Sequence, residues 1–150
     1  MSLDDLYRDV ILDHYRNPRH HHQLDQPDTT EKGTNPLCGD EIVVELGLDG
    51  DRISQVAVLG QGCSISQSSG SMMATAIVGK QIGEVRDLIL RFKGMMGITD
   101  GPDPLDRARP GAVLGDLEAL AGVRKFPVRI KCADLAWTTL EQALDSDGRA

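Results

Sequence analysis

Residues 41 to 63 read EIVVELGLDGDRISQVAVLGQGC. Ile42, Val44, Leu46 and Leu48 alternate with Glu41, Val43, Glu45 and Gly47, the period of a strand buried on one face. Asp49-Gly50 is a tight hairpin signal, and the apolar run resumes from Ile53 to Leu59. Two antiparallel strands follow from this pattern. Gly60-Gln61-Gly62 then breaks the second strand just before Cys63.

Helical segments surround this hairpin. Leu3, Leu6, Tyr7, Val10, Ile11 and His14 form one stripe of a helix from Leu3 to about Tyr15, with Ser2 as N-cap and Asn17-Pro18 as terminator. Residues 17–37 are polar, carry Pro18, Pro27, Gly33 and Pro36, and read as one long loop. Downstream, the pattern predicts a helix from Ser64 to Val78, capped by Gly79, and another from Glu84 to Met96. Residues 97–112 are rich in Gly and Pro and read as a loop. A short helix is expected from Leu114 to Ala121, stopping at Gly122. The last helix is expected from Pro127 to Leu144, with Val128, Cys132, Leu135, Ala136, Thr139, Leu140 and Ala143 on one face. The order of elements is that of an α+β domain, two to three antiparallel strands packed against about five helices.

The chain has 150 residues, the size of one domain spanning 1–150 and too short for two with separate cores. Acidic residues outnumber basic ones 23 to 16, for a formal charge of −7. That balance argues against nucleic acid as a partner, because such binding requires a cationic surface. No apolar stretch is long enough to span a bilayer, and no basic flank precedes an apolar run as in a secretory signal. A cytoplasmic protein without membrane partners is the expectation.

Three cysteines, Cys38, Cys63 and Cys132, cannot all pair within one chain. Cys38 sits in Asn35-Pro36-Leu37-Cys38-Gly39-Asp40, where a thiol and a carboxylate flank a glycine and can converge on one ion. Cys63 lies at a strand-to-helix turn, and a helix N-terminus favours negative charge on its sulfur. Cys132 follows Arg129 and Lys131 in the first turns of the last helix. With Asp40, the three cysteines make a Cys₃Asp set sufficient for one tetrahedral Zn²⁺. The spacing is far from paired C-x₂-C knuckles, so from the residues alone a metal site and inert burial both stay open.

Other motifs fail on their own terms. The Gly70 to Lys80 stretch has the wrong spacing for a phosphate-binding P-loop, and Gln81 replaces the required hydroxyl. Gly60-Gln61-Gly62 meets Ile65 where a dinucleotide fingerprint needs glycine. His20, His21 and His22 are consecutive in a loop and read as solvated surface, whereas His14 on the apolar stripe reads as a hydrogen-bonded core histidine. Met72, Met73, Met95 and Met96 read as packing residues.

Taken together, the cysteine neighbourhoods resemble those of the IscU/NifU-N family of iron–sulfur cluster assembly proteins. The matching residues include Leu6-Tyr7, Ile11-Leu12-Asp13-His14-Tyr15, Asn35-Pro36-x-Cys38-Gly39-Asp40, and Gly60-x-Gly62-Cys63-x-Ile65-Ser66. They continue through Gly115-Asp116-Leu117 to Phe126-Pro127-x-Arg129-Ile130-Lys131-Cys132-Ala133. Two features resemble the SufU branch: Lys131 stands where IscU-like proteins have His, and residues 97 to about 115 supply an insertion. Gly70 replaces the usual Ala or Ser, which is expected to soften its helix by up to ~1 kcal/mol.

The resemblance implies a single IscU/NifU-N-like domain in which Cys38, Asp40, Cys63 and Cys132 hold Zn²⁺. It further implies a sulfurtransferase-type carrier that takes persulfide sulfur from a pyridoxal-phosphate-dependent cysteine desulfurase of the SufS type, alongside other Suf assembly proteins. Cys38 is then the acceptor, with Arg129 and Lys131 as electrostatic support. The alternatives are a scaffold on which the same residues carry iron or a transient iron–sulfur cluster, and a structural zinc module for protein binding. Thiolates suit both zinc and iron clusters, so the ligand set does not separate them.

Overall fold

The computed structural model of the chain describes residues 3–36, 39–99, 103–106, 108–109 and 111–147. Helix α1 spans Leu3–Arg16, as its stripe predicts; Ser2 lies outside the described residues. Tyr7, Val10 and Ile11 pack on the core and His14 is buried, but Leu6 is 47% exposed. The helix therefore buries a narrower face than its sequence offers.

Strands β1 (Thr29–Asn35), β2 (Asp40–Asp49) and β3 (Arg52–Gln61) form an antiparallel sheet in the order β1-β2-β3. The expected hairpin is β2–β3, with Glu45 opposite Ala57 and a register shift between Gly47 and Leu48. Ile42, Val44 and Leu46 are fully buried, and Ile53, Val56 and Val58 join them. β3 runs two residues beyond Leu59, because Glu41 pairs with Gln61 across the ladder.

The expected long loop at residues 17–37 is corrected by β1. The sequence TTEKGTN has no apolar alternation; its order comes from pairing with β2 and from a close approach of α4. Gly33 permits that approach, because a Cβ there would meet the Thr139 and Leu135 side chains. The rest of the segment crosses the sheet: the Leu24 N–H donates to Glu45 at 2.9 Å, and the Val58 N–H donates to the His20 carbonyl at 2.9 Å. This covers the outer edge of β3, which would otherwise be an open pairing template.

Helix α2 (Ser64–Ile77) packs on the sheet and on α1, and α3 (Ile82–Met95) follows. α3 begins two residues earlier than its periodicity implies because Gln81 and Glu84 form a capping box. The expected short α-helix is instead a 3-10 helix from Gly115 to Lys125 that runs through Gly122. Leu114, Leu117, Leu120 and Val123 are all buried, a spacing of three that fits the 3-10 period. Glu118, only 1% exposed, accepts the N–H groups of Gly111, Val113 and Leu114 at 2.9–3.0 Å and ties the preceding loop down.

Helix α4 (Pro127–Asp147) buries Cys132, Ala133, Ala136, Trp137, Thr139, Leu140, Ala143 and Leu144. Val128, placed on the apolar face by its spacing, is 59% exposed because the first turn of α4 projects past the core. Trp137 stacks on Phe92 with ring centroids 4.4 Å apart, and its indole N–H donates to Ser69 Oγ at 3.1 Å. No described helix is long and apolar enough to cross a membrane.

Candidate metal centre

Asp40, Cys63 and Cys132 come together at one end of the sheet. One potential ligand atom from each lies within 4.8 Å of the others, and this is the single such His/Cys/Asp/Glu group among the described residues. Three elements deliver them. Asp40 opens β2, Cys63 is the N-cap of α2, and Cys132 stands in the second turn of α4. Cys38, the fourth residue expected here, lies outside the described residues.

The local sequence explains the convergence. β3 ends at Gln61, and Gly62 turns the chain into α2 with the Asp40 carboxylate packed against it. Any Cβ on Gly62 would collide with that carboxylate, so the turn requires glycine. The Cys63 N–H donates to Asp40 Oδ1 at 2.8 Å, while Cys63 Sγ lies 3.7 Å from Asp40 Oδ2. Ser66 closes the turn by donating from Oγ to the Cys63 carbonyl at 3.1 Å, with its own Oγ 3.8 Å from Cys63 Sγ. Cys63 is half-buried, whereas Asp40 and Cys132 are almost wholly buried at 1% and 0%.

The donor set fits zinc. A sulfur bound at ~2.3 Å and a carboxylate oxygen bound at ~2.1 Å with a tetrahedral angle sit about 3.6 Å apart, close to the 3.7 Å between Cys63 Sγ and Asp40 Oδ2. A buried carboxylate beside two cysteine sulfurs, with no described Lys, Arg or His paired to that carboxylate, is a constellation that a divalent cation balances.

Asn35 is a residue whose role the sequence reading missed. It ends β1 opposite Asp40, is 8% exposed, and donates its amide Nδ2–H to Cys132 Sγ at 3.8 Å. Its place directly before Pro36 in the Cys38 motif was the available signal. Arg129 and Lys131 are exposed, and neither makes an ion pair among the described residues. Arg129 lines, with Ser64, Tyr7 and Phe126, a cleft of about 810 Å³ between α1 and the start of α4. His20, His21 and His22 are exposed, as expected, and none of them belongs to the cluster; His21 Nδ1 contacts the Val58 carbonyl at 2.9 Å.

The family description "NifU-like N terminal domain" matches residues 6–133. The chain belongs to that family. Among NifU-like relatives it is 45% identical to the zinc-dependent sulfurtransferase SufU of Bacillus subtilis, across 95% of this chain and 92% of that one. It is 40% identical to the iron–sulfur cluster assembly scaffold protein IscU of Streptococcus pyogenes, across 99% of this chain and 89% of the other. A crystal structure from Fervidobacterium islandicum, described as an iron–sulfur cluster assembly scaffold for the SUF system, superposes with a TM-score of 0.81. It shares 32% identity and covers 95% of this chain and 99% of its own. The NifU-like fold, among the described residues a three-stranded antiparallel sheet with five helices counting the 3-10 helix, is the α+β architecture expected from the sequence.

Proposed function

We propose that this NifU-like protein works in iron–sulfur cluster assembly as a zinc-binding sulfur acceptor. One observation carries the reading: Asp40, Cys63 and Cys132, from three separate elements, close to within 4.8 Å. Cys38 completes the set, standing two residues before Asp40 in the connection from β1 to β2. Zinc, when bound, keeps its sulfur ligands deprotonated at neutral pH.

The donor is a cysteine desulfurase carrying a persulfide on its own cysteine. The Cys38 thiolate attacks the outer sulfur; the donor's S–S bond breaks as a new S–S bond forms on Cys38. The donor cysteine leaves as a thiolate, so sulfane sulfur moves with no net oxidation. Arg129 and Lys131 supply positive charge beside an anionic site and an anionic donor. Cys38 belongs to the connection between two strands, whereas Cys63 caps α2 and Cys132 lies within α4, so Cys38 moves at the least cost to helical hydrogen bonds. The protein acts in the cytoplasm, with residues 1–150 forming one domain.

The test is mass spectrometry after incubation with desulfurase and cysteine, with a gentle alkylating trap. A persulfide on Cys38, lost in Cys38→Ser, is the expected result. The relationship to the Streptococcus IscU supports a second reading, a scaffold for a cluster. Colourless zinc protein on aerobic purification supports sulfur transfer; brown, sulfide-containing protein supports the scaffold.

A further inference from the structure

The two cysteines placed at the site differ in what surrounds their sulfurs. Cys63 Sγ faces a carboxylate and a hydroxyl, Asp40 Oδ2 and Ser66 Oγ. Cys132 Sγ is fully buried, lies 3.8 Å from the Val128 carbonyl oxygen of its own helix and, among the described residues, alone of the two receives a side-chain N–H, that of Asn35. We propose that Asn35 is a positioning residue that reserves Cys132 as a permanent metal ligand, by donating a hydrogen bond to its thiolate. The inference rests on the metal-site reading above and names a division of labour among the sulfurs.

The chemistry follows from the donor inventory. An amide Nδ2–H donates to a thiolate and withdraws electron density from it, which lowers the sulfur's nucleophilicity while leaving it ligated. Because the contact is buried, water does not compete for it. Cys132 thus has an inward neighbour that holds it and no open face for attack. Asn35 is itself fixed: it ends β1 in register with Asp40, so the two residues flanking the β1–β2 connection each hold one cysteine. The connection that carries Cys38 is then anchored at one end to the Cys132 sulfur and at the other to the Cys63 backbone N–H.

Asn35→Ala tests this, with Asn35→Ser as a second variant should alanine fail to fold. Three readouts apply to metal-loaded protein. Zinc affinity, by competition with a chromophoric chelator, is expected to fall roughly tenfold, as for other residues behind a metal ligand. In Co²⁺-substituted protein, the sulfur-to-metal charge-transfer band is expected to move to longer wavelength, because an unbonded thiolate gives up charge more readily. Iodoacetamide mapping is expected to show faster modification of Cys132 relative to Cys63. A merely structural role would loosen both cysteines together and leave the band in place. An unshifted Co²⁺ band with an unchanged Cys132-to-Cys63 ratio overturns the proposal. Failure of wild-type protein to bind Zn²⁺ or Co²⁺ at all overturns the metal-site reading instead, so the two failures are distinguishable.

Discussion

Nε2 of His14 lies 3.0 Å from Oδ2 of Asp116, joining α1 to the 3-10 helix across 102 residues of sequence. On the other side of the ring, Nδ1 lies 2.8 Å from Ser71 Oγ in α2. Ser71 Oγ also accepts the Arg19 N–H at 2.9 Å, so the hydroxyl and both ring nitrogens all have partners. Ser71 is only 2% exposed, so this serine–histidine–aspartate line is a structural tie rather than a nucleophile.

His14→Ala should therefore cost about 2–3 kcal/mol in urea unfolding, since it leaves a buried hydroxyl short of a partner and opens a cavity. Asp116→Asn should cost less than about 1 kcal/mol, because that carboxylate is 64% exposed. Equal losses for the two variants would contradict the arrangement.

Gly70 is expected from helix propensity to weaken α2 by up to ~1 kcal/mol. The structure supplies the opposing effect: a Cβ on Gly70 would sit 2.8 Å from Val58 Cγ1 on β3. Val58 is β-branched and buried, so it has little room to yield. Gly70→Ala should destabilise by about 1–2 kcal/mol despite the better helix former. In a double-mutant cycle, Val58→Ala should relieve that loss by about 1 kcal/mol or more; simple additivity would refute the contact.

Where apolar residues recur with a clear period, the elements were legible: β2, β3 and α1 follow directly from theirs. β1 was not, because Thr29–Asn35 carries no apolar face and owes its order to β2 and α4. The 3-10 helix had a readable signal in the three-residue spacing of Leu114, Leu117, Leu120 and Val123, but an α-helical period obscured it. Asp40, Cys63 and Cys132 were legible because thiols and carboxylates are metal donors by chemistry. Asn35 was legible only by its place in the Cys38 motif, since nothing in an asparagine's identity announces which sulfur it faces.

Burial pushes the Asp134 carboxyl above its ordinary value of 3.8, against the opposing pull of Thr138 and Lys93. A raised carboxyl means that the native state disfavours the charged form. Its contribution is unfavourable above the folded-state value and is relieved as pH falls through that value toward 3.8. Asp134→Asn should raise the melting temperature at pH 7 by about 2 °C, with the advantage shrinking toward pH 4. Lys93 retains Glu141 at 3.4 Å, so the lysine is not stranded. A variant less stable at pH 7 would show that the Lys93 pairing outweighs the burial.

Metal removal is the most demanding test of the site. Asp40, Cys63 and Cys132 lie on β2, the α2 cap and α4, segments otherwise joined by packing and by the short bonds around Asp40. A ligand that binds only the native state stabilises by mass action, about 4 kcal/mol at a free concentration a thousand times Kd. For a domain of this size that corresponds to roughly 10 °C, so chelation should lower the melting temperature by about that amount. Cys63→Ser and Cys132→Ser should melt near the chelated wild type and respond little to added zinc. Asp40→Ala should keep zinc at reduced affinity, because water or a partner group can fill an oxygen position more readily than a sulfur one. Cys38→Ser should stay closest to wild type in stability while losing sulfur acceptance. An unchanged melt after verified removal of the metal would sink the idea that it holds these three segments together.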